Sequence, residues 1–566
     1  MTNKGMLNLL KEPFSKNWEE LALQDFNTDI SYKYKDFAAK IEELHIIFKA
    51  AGIERGDRIA LIGRNTSHWA ISFMSIISYG AVVVPILDEF NPRDVVHILN
   101  HSKAKLFLCD ESMWSNYQTR DFETVVTVIS TTKFALLYND TENDIKSTIK
   151  GMKKLMKEKF PNGLTYEKME WVDIEPDDLT IINYTSGTTS LTKGVMLTAR
   201  NLATNIEFGI KTYTKIGHPS QRALCVLPLA HVYGLMFGYL LQIAFGTSIT
   251  FLGKLPSPKI LLDACASVKP TMLLFVPLIF EKIYKFNIAP KINKGIVGKL
   301  RLIPFVNDLI CRKAGKTLYD LFGGELYEVI VGGAAINPEV EKFLIKAKFP
   351  FTVGYGMTEC APLISYIPNT AFKPQSVGKA LDNGMVIRID KEQESDPSGE
   401  IQVKGDQVMM GYYGDEEATK STFTDDGWLK TGDLGCIDKD GYIYIKGRSK
   451  TMLLGPSGEN IYPEAIESKL NNMPFIAESI VMQNKQHKLI AFVYPDYPMI
   501  EKAKISLSRL NRLMANNRRT LNEITAKYEN IQRIIVVEEP FAKTPKNTPK
   551  RYGLEYLIEK YDAEKD

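Results

Sequence analysis

Between residues 31 and 110 the chain alternates helix-like and strand-like patterns, and that alternation leaves few folds open. Residues 34 to 51 carry apolar side chains at helical spacing and stop at Gly52. Asp57-Arg-Ile-Ala-Leu-Ile62 then reads as a strand, 69 to 79 as a helix, and Ala81-Val-Val-Val-Pro85 as another strand. Apolar strands separated by helices pack into a parallel sheet covered on both faces. The same rhythm returns in Thr271-Met-Leu-Leu-Phe-Val276 and Glu328-Val-Ile-Val331, without internal repeats, so one large α/β body is expected rather than an array. With 566 residues the chain exceeds a single core, and roughly two to four domains are expected.

From about 380 the pattern changes to short strands with frequent Gly and Asp, as in Gly399-Glu-Ile-Gln-Val-Lys404 and Gly441-Tyr-Ile-Tyr-Ile-Lys446, which suits a small antiparallel β unit over 380–449. After 450 follow a helix at 463–471, strands at 479–483 and 489–494, a helical stretch at 500–529 and a strand at 534–537. Together they are enough for an independent small domain. The expected division is an N-terminal domain of 1–449 and a C-terminal domain of 450–566, joined at Gly447-Arg-Ser-Lys450.

Seventy Lys+Arg against 67 Asp+Glu give +3, so no nucleic-acid character is expected and anion binding must be local. The six cysteines are scattered without a C-x-x-C pair or a His/Cys cluster, which supports neither a disulfide framework nor a zinc site. The first residues hold too short an apolar run for a signal peptide, and no stretch of about 18 apolar residues occurs; a cytoplasmic protein is the expectation. Two basic stretches stand apart. In 144–160, Ile145, Ile149, Met152, Met156 and Phe160 form one helical stripe with lysines around it, an amphipathic basic helix. Between Lys282 and Lys316 nine Lys/Arg face only Asp308. Both are candidates for peripheral contact with an anionic membrane at its inner face, although a solvated face over an ordinary core is the commoner outcome.

The richest chemistry lies in Tyr184-Thr-Ser-Gly-Thr-Thr-Ser-Leu-Thr-Lys-Gly-Val-Met-Leu-Thr198. Six hydroxyls surround Gly187, and Lys193-Gly194 follow: short donors on a backbone free to fold tightly, with a point charge, are what a phosphate cradle needs. It is not a Walker A loop, because Thr192 stands where that pattern has Gly. Strand patterns flank it, at Thr180-Ile-Ile-Asn-Tyr184 before and Val195-Met-Leu197 after, with Thr198 a cap for a later helix. A polar surface loop that binds nothing is the bland alternative. Val353-Gly-Tyr-Gly-Met-Thr-Glu359 adds an aromatic face, two glycines, a hydroxyl and a carboxylate, the parts that stack a base and hold Mg²⁺. Gly332-Gly-Ala-Ala-Ile336 lets backbone approach a flat ring, and Thr431-Gly-Asp-Leu-Gly435 presents a carboxylate in a turn, suited to a sugar diol. Singly, each is more often a plain turn.

In this order and spacing the segments resemble the adenylate-forming superfamily of acyl-CoA synthetases, acyl carrier protein ligases, luciferases and peptide-synthetase adenylation domains. The resemblance runs from about Ile30 to the C-terminus. Pro228-Leu-Ala-His-Val-Tyr-Gly234, Val276-Pro-Leu-Ile-Phe-Glu-Lys282 and the stretch 447–464 look most like bacterial long-chain fatty-acid-CoA ligases. The resemblance implies a large N-terminal domain of parallel sheets covered by helices plus a small distorted β-barrel, and a small mobile α+β C-terminal domain. It implies ATP, Mg²⁺ and coenzyme A, with Thr185, Ser186, Gly187, Thr188, Thr189 and Lys193 around the β- and γ-phosphates. Gly333, Ala334, Tyr355 and Gly356 would frame adenine, Thr358 the α-phosphate, Glu359 the Mg²⁺, and Asp433 and Arg448 the ribose. His231 and Tyr233 would stand where the carboxylate and acyl chain enter, with His231 in the catalytic set, and Lys450 would be the hinge.

Two departures stand out. Ser190 and Thr192 replace the Gly and Pro of many relatives. In Phe541-Ala-Lys-Thr-Pro-Lys-Asn-Thr-Pro-Lys-Arg551 ungapped alignment puts Thr548 at the family's catalytic lysine, leaving Lys546 and Lys550 as candidates. The function implied is activation of a medium- or long-chain fatty acid to acyl-AMP and its transfer to coenzyme A. The rivals are transfer to acyl carrier protein and a non-catalytic nucleotide- or lipid-binding relative.

Overall fold

The structure, a computed structural model, describes residues 5–185, 192–217, 222–254, 257–455, 460–484, 486–543, 549–551 and 553–563. Its contacts divide the chain into two compact units, Met1–Ile387 with Val403–Leu429, and Arg388–Gln402 with Lys430–Asp566. Compactness thus groups half of the 380–449 stretch, residues 388–402 and 430–449, with the C-terminal part.

In the first unit the expected βα alternation builds two large sheets. One has the order Gly411–Tyr412, Lys193–Thr198, Leu179–Thr185, Val82–Ile86, Arg58–Ile62, Leu106–Cys109, Thr127–Ser130, Leu136–Asn139, parallel through its middle and antiparallel at both margins. The other runs Phe351–Val353, Glu328–Val331, Met272–Phe275, Arg222–Cys225, Ser248–Phe251, Leu21–Asp25, Ser31–Lys33, with only the last pair antiparallel. Central strands such as Val82–Ile86 and Glu328–Val331 are buried at every residue, which is why they read as unbroken apolar runs. Leu363–Tyr366 joins a smaller three-stranded antiparallel sheet.

Helices Tyr34–Ala50 and Ser67–Tyr79 pack together. Between them the buried His45 ring has Nε2 at 3.1 Å from the Ser75 carbonyl and 2.9 Å from the Ser78 hydroxyl. Burial holds this imidazole down at about 4. The unfolded chain takes a proton near the ordinary histidine value and the folded one does not until about 4. Stability is therefore complete above about pH 6.5 and lost as pH falls towards 4, by at most about 3 kcal/mol. The thermal midpoint of wild type is expected to fall more steeply on acidification than that of His45→Gln, which keeps hydrogen-bonding capacity and does not titrate; parallel profiles would contradict this.

The basic stretch at 144–160 is two helices, Ile145–Lys150 and Met152–Lys159, rather than one, because the chain breaks at Gly151. Ile145 and Phe160 are buried, and Lys159 pairs at 2.9 Å with both Glu42 and Glu170. The two ends of the apolar stripe are thus buried, while Ile149, Met152 and Met156 between them are half-buried.

The second unit holds most of a four-stranded sheet, Val386–Asp390, Gly399–Lys404, Leu429–Ile437, Ile443–Arg448, and a three-stranded sheet in which Leu489–Pro495 lies between Ile476–Gln483 and Ile531–Val536. Helices Pro463–Leu470 and Leu507–Ile524 supply Ile466, Leu470, Leu510 and Leu521 to its core. The helical stretch expected at 500–529 is three pieces, ending Tyr497–Lys502, restarting at Leu507 and closing as a 3-10 turn Lys527–Glu529. Among the described residues no helix is long and apolar enough to cross a membrane.

Candidate functional site

Strands Arg222–Cys225, Met272–Phe275, Glu328–Val331 and Phe351–Val353 are parallel, so their carboxyl ends share one edge of the sheet. Open α/β sheets take ligands outside that edge. Three of the sequence-predicted segments leave the sheet there.

The first is the turn after Cys225. Asn65 pins it twice, donating to the Leu227 carbonyl at 2.6 Å and accepting the Leu229 N–H at 2.8 Å, while Asn183 donates to the Ala230 carbonyl at 2.9 Å. His231 caps helix Val232–Leu235, its Nδ1 accepting the Tyr233 N–H at 3.4 Å. A Cβ at Gly234 would lie 2.3 Å from the Pro228 carbonyl oxygen, so only glycine allows the turn this tightness. The Tyr233 hydroxyl donates to the Ile330 carbonyl at 3.1 Å, bracing this turn against the next strand. Burial holds that phenol well above its ordinary value, so it stays a neutral donor.

The second segment follows Val331. Gly332 N–H bonds the Phe275 carbonyl at 3.0 Å, and Gly333 takes the left-handed φ of 84° that turns Gly333 and Ala334 outward, both exposed. The third follows Val353. Gly354 N–H bonds the Val331 carbonyl at 3.0 Å, and Tyr355 and Gly356 then pair with Ser365 and Leu363. A Cβ at Gly356 would lie 2.1 Å from the Pro362 carbonyl oxygen. The chain continues into the 3-10 turn Thr358–Cys360, with Thr358 buried and Glu359 half-buried.

The hydroxyl-rich turn is carried by the hairpin of Leu179–Thr185 and Lys193–Thr198, in which Thr185 pairs with Lys193. Ser186, Gly187, Thr188 and Thr189 lie outside the described residues. Thr198 caps helix Ala199–Ile216, as its sequence indicated. Beyond the hairpin, Gly411–Tyr412 adds a strand to Lys193–Thr198. The Lys193 Nζ stands 4.7 Å from the centre of the Tyr412 ring, and the Tyr412 hydroxyl donates to Glu359 Oε1 at 3.0 Å. A cation, a phenol and a carboxylate thus stand in a row linking the hairpin to the turn at Thr358. Burial first, then the Glu359 charge, raises the Tyr412 phenol and keeps it a donor. No motif signalled Tyr412; the glycine-bracketed aromatic pair Gly411-Tyr-Tyr-Gly414 was the available hint.

Among the described residues Glu359 Oε2 accepts no hydrogen bond, and no group of three or more His, Cys, Asp or Glu gathers here or elsewhere. One open carboxylate oxygen suits Mg²⁺, which takes one or two carboxylates and completes its shell with water and phosphate oxygens.

In the second unit Asp433 and Arg448 are paired residues of adjacent antiparallel strands, and Arg448 Nε lies 3.0 Å from Asp433 Oδ1. Asp433 is 8% exposed and Arg448 62%, so the guanidinium presents a solvent-facing side while the carboxylate is held. Thr431 fixes the turn, its hydroxyl donating to the Ile401 carbonyl at 2.7 Å and accepting the Asp433 N–H at 3.1 Å. Lys450 is exposed in the 3-10 turn Ser449–Thr451. Lys550 N–H bonds the Ala542 carbonyl at 2.7 Å, and Arg551 beside it pairs with Glu464 at 3.4 Å and with buried Glu467. Lys546 and Thr548 lie outside the described residues.

Residues 12–413 match the sequence family described as AMP-binding enzyme. The long-chain-fatty-acid–CoA ligase FadD15 of Mycobacterium bovis is 28% identical over 76% of this chain and 72% of its own length. The 4-coumarate–CoA ligase 2 of Nicotiana tabacum is 29% identical over 82% and 80%. Among solved structures, ATP-bound MatB from Rhodopseudomonas palustris superposes with a TM-score of 0.73 at 24% identity, covering 100% of both chains; at that identity the likeness concerns the fold.

Proposed function

Because the chain belongs to the AMP-binding enzyme family, we propose that it is an ATP-dependent acid–thiol ligase that joins a medium- or long-chain fatty acid to coenzyme A through an acyl-adenylate. The observation that carries the reading is the row Lys193, Tyr412, Glu359, which ties a phosphate-type hairpin to an open carboxylate at the edge where α/β sheets take ligands.

The roles follow from charge. A carboxylate must attack the α-phosphorus of a polyanion, so the site has to offset repulsion before any bond forms. Thr185, Ser186, Gly187, Thr188, Thr189 and Lys193 are assigned to the β- and γ-phosphates, Thr358 to the α-phosphate, and Gly333, Ala334, Tyr355 and Gly356 to adenine. Glu359 is the residue that would hold Mg²⁺, which when bound neutralises phosphate charge. Tyr412 keeps the Glu359 carboxylate oriented, and Asp433 with Arg448 is assigned the ribose hydroxyls. His231 and Tyr233 flank the approach of the acid. The acid oxygen forms the new bond to phosphorus as pyrophosphate leaves; the coenzyme A sulfur then takes the carbonyl carbon as AMP leaves. Lys450 is assigned the hinge between the two half-reactions, and Lys546 or Lys550 the lysine of the first.

The Nicotiana relative keeps aromatic acids in view as a second substrate class. A panel of short, medium and long fatty acids and cinnamic-type acids, assayed for AMP release with and without coenzyme A, tests both. AMP release and thioester formation peaking on medium or long chains is the expected result. A peak on aromatic acids overturns the acyl assignment, thioester formation only with holo acyl carrier protein overturns the acceptor, and ATP binding without AMP release for any acid overturns the ligase.

A further inference from the structure

The apolar residues of the two basic stretches meet different fates. In the stripe at 144–160, Ile145 and Phe160 are buried, Ile149, Met152 and Met156 are half-buried, and none is exposed. In the second stretch, Ile296, Leu302, Ile303, Phe305 and Leu309 are between 50% and 84% exposed. Large apolar side chains grouped this way on one short segment mark an interaction surface rather than ordinary surface scatter.

Their arrangement is directional. Helix Pro304–Leu321 buries Cys311, Gly315 and Leu318. Phe305, Leu309, Arg312 and Lys316 recur at intervals of three and four residues, so they share another face, apolar at the first turns and cationic thereafter. All four are exposed. The preceding helix Gly295–Leu300 adds exposed Ile296 and Lys299, and Leu302 and Ile303 form the turn between. Arg301 braces that turn, bonding Asn307 at 2.7 Å and also Asn293. The sole acid between Lys282 and Lys316, Asp308, is neutralised by Lys346 at 2.7 Å. Lys316 stands 3.7 Å from exposed Asp320 one turn on, which leaves the face with an excess of cations. An apolar tip bordered by that excess matches the two layers of an anionic lipid surface: acyl boundary for the tip, phosphates for the ring. A second copy of the same face would set Lys299, Arg312 and Lys316 against cations of their own kind, and a nucleic acid offers nothing to the apolar tip.

We propose that the turn and helices of 295–316 dock the first unit on an anionic lipid membrane, with Leu302 and Phe305 entering the acyl boundary and Lys299, Arg312 and Lys316 contacting headgroup phosphates. The claim stands on this face alone and is read without acid, ATP or coenzyme A, so it fails or survives independently of the ligase assignment.

The test is co-sedimentation of the full chain with phosphatidylcholine vesicles and with phosphatidylcholine–phosphatidylglycerol vesicles, at low and high salt. Binding to the anionic vesicles at low salt, weakened by high salt and by omission of phosphatidylglycerol, is expected. Lys299→Glu/Arg312→Glu/Lys316→Glu and Leu302→Ser/Phe305→Ser should each lower partitioning at least about fivefold. Lys146→Glu/Lys150→Glu/Lys153→Glu should leave it within about twofold. Indifference of wild type to anionic vesicles at low salt overturns the proposal, whatever the variants do. So does a smaller loss in either patch variant, an equal loss in the 146–153 variant, or a dimer in sedimentation that Leu302→Ser/Phe305→Ser dissociates.

Discussion

Glu359→Gln is expected to lower AMP release by about 10²–10³-fold, the scale on which removal of one charge-stabilising group registers in catalysis. The substitution keeps the volume of the side chain and an acceptor for the Tyr412 hydroxyl, which lies 3.0 Å from Oε1. What it removes is the negative charge, and with it the affinity for a divalent ion. Raising Mg²⁺ should therefore recover part of the loss in Glu359→Gln and none in a variant crippled by misfolding. Tyr412→Phe should cost about 10–100-fold, the usual effect of removing a group that orients a metal-binding carboxylate. Its thermal midpoint should stay close to wild type. A fall of less than tenfold in Glu359→Gln, with no change in Mg²⁺ dependence, would remove this carboxylate from the site.

The second large effect is expected in the C-terminal loop. One of Lys546→Ala and Lys550→Ala should lower adenylation about 10³-fold, as loss of a cation at a transferring phosphoryl group does, while the other changes little. Thioester formation from acyl-adenylate supplied ready-made should survive in both, since the lysine serves the first half-reaction alone. The backbone around Lys550 is held, through its N–H to Ala542 and through Arg551 to Glu464 and Glu467. Normal adenylation in both variants would remove the loop from the mechanism.

How much of this was legible in the sequence depends on how local each cause is. A strand buried on both faces announced itself, so Glu328–Val331 matches its run to the residue, and Gly399–Lys404 matches the short strand read between its turn residues. The cap at Thr198 was legible because an N-cap needs only a hydroxyl and the next three residues. Helix continuity was less so. The stripe at 144–160 kept its spacing across Gly151, yet the chain breaks there, because glycine gives up more conformational freedom in a helix than any other residue. Tyr412 was invisible for another reason: its partners Lys193 and Glu359 are distant in the chain, and only the added strand Gly411–Tyr412 brings them to it.

The chain's own order of residues determined the βα alternation, the hydroxyl-rich segment with its lysine, the carboxylate in its glycine-bracketed turn and the presence of two basic stretches, all of which are written in short windows of side-chain chemistry and spacing. Tertiary structure decided which of those windows meet. It aligned the carboxyl ends of four parallel strands, set a phenol between a lysine and a glutamate, and covered the apolar stripe of one basic segment at least in part while leaving Ile296, Leu302, Ile303, Phe305 and Leu309 of the other in solvent. Spacing reports which residues share a face. Whether that face is covered depends on long-range packing, and no local pattern contains it.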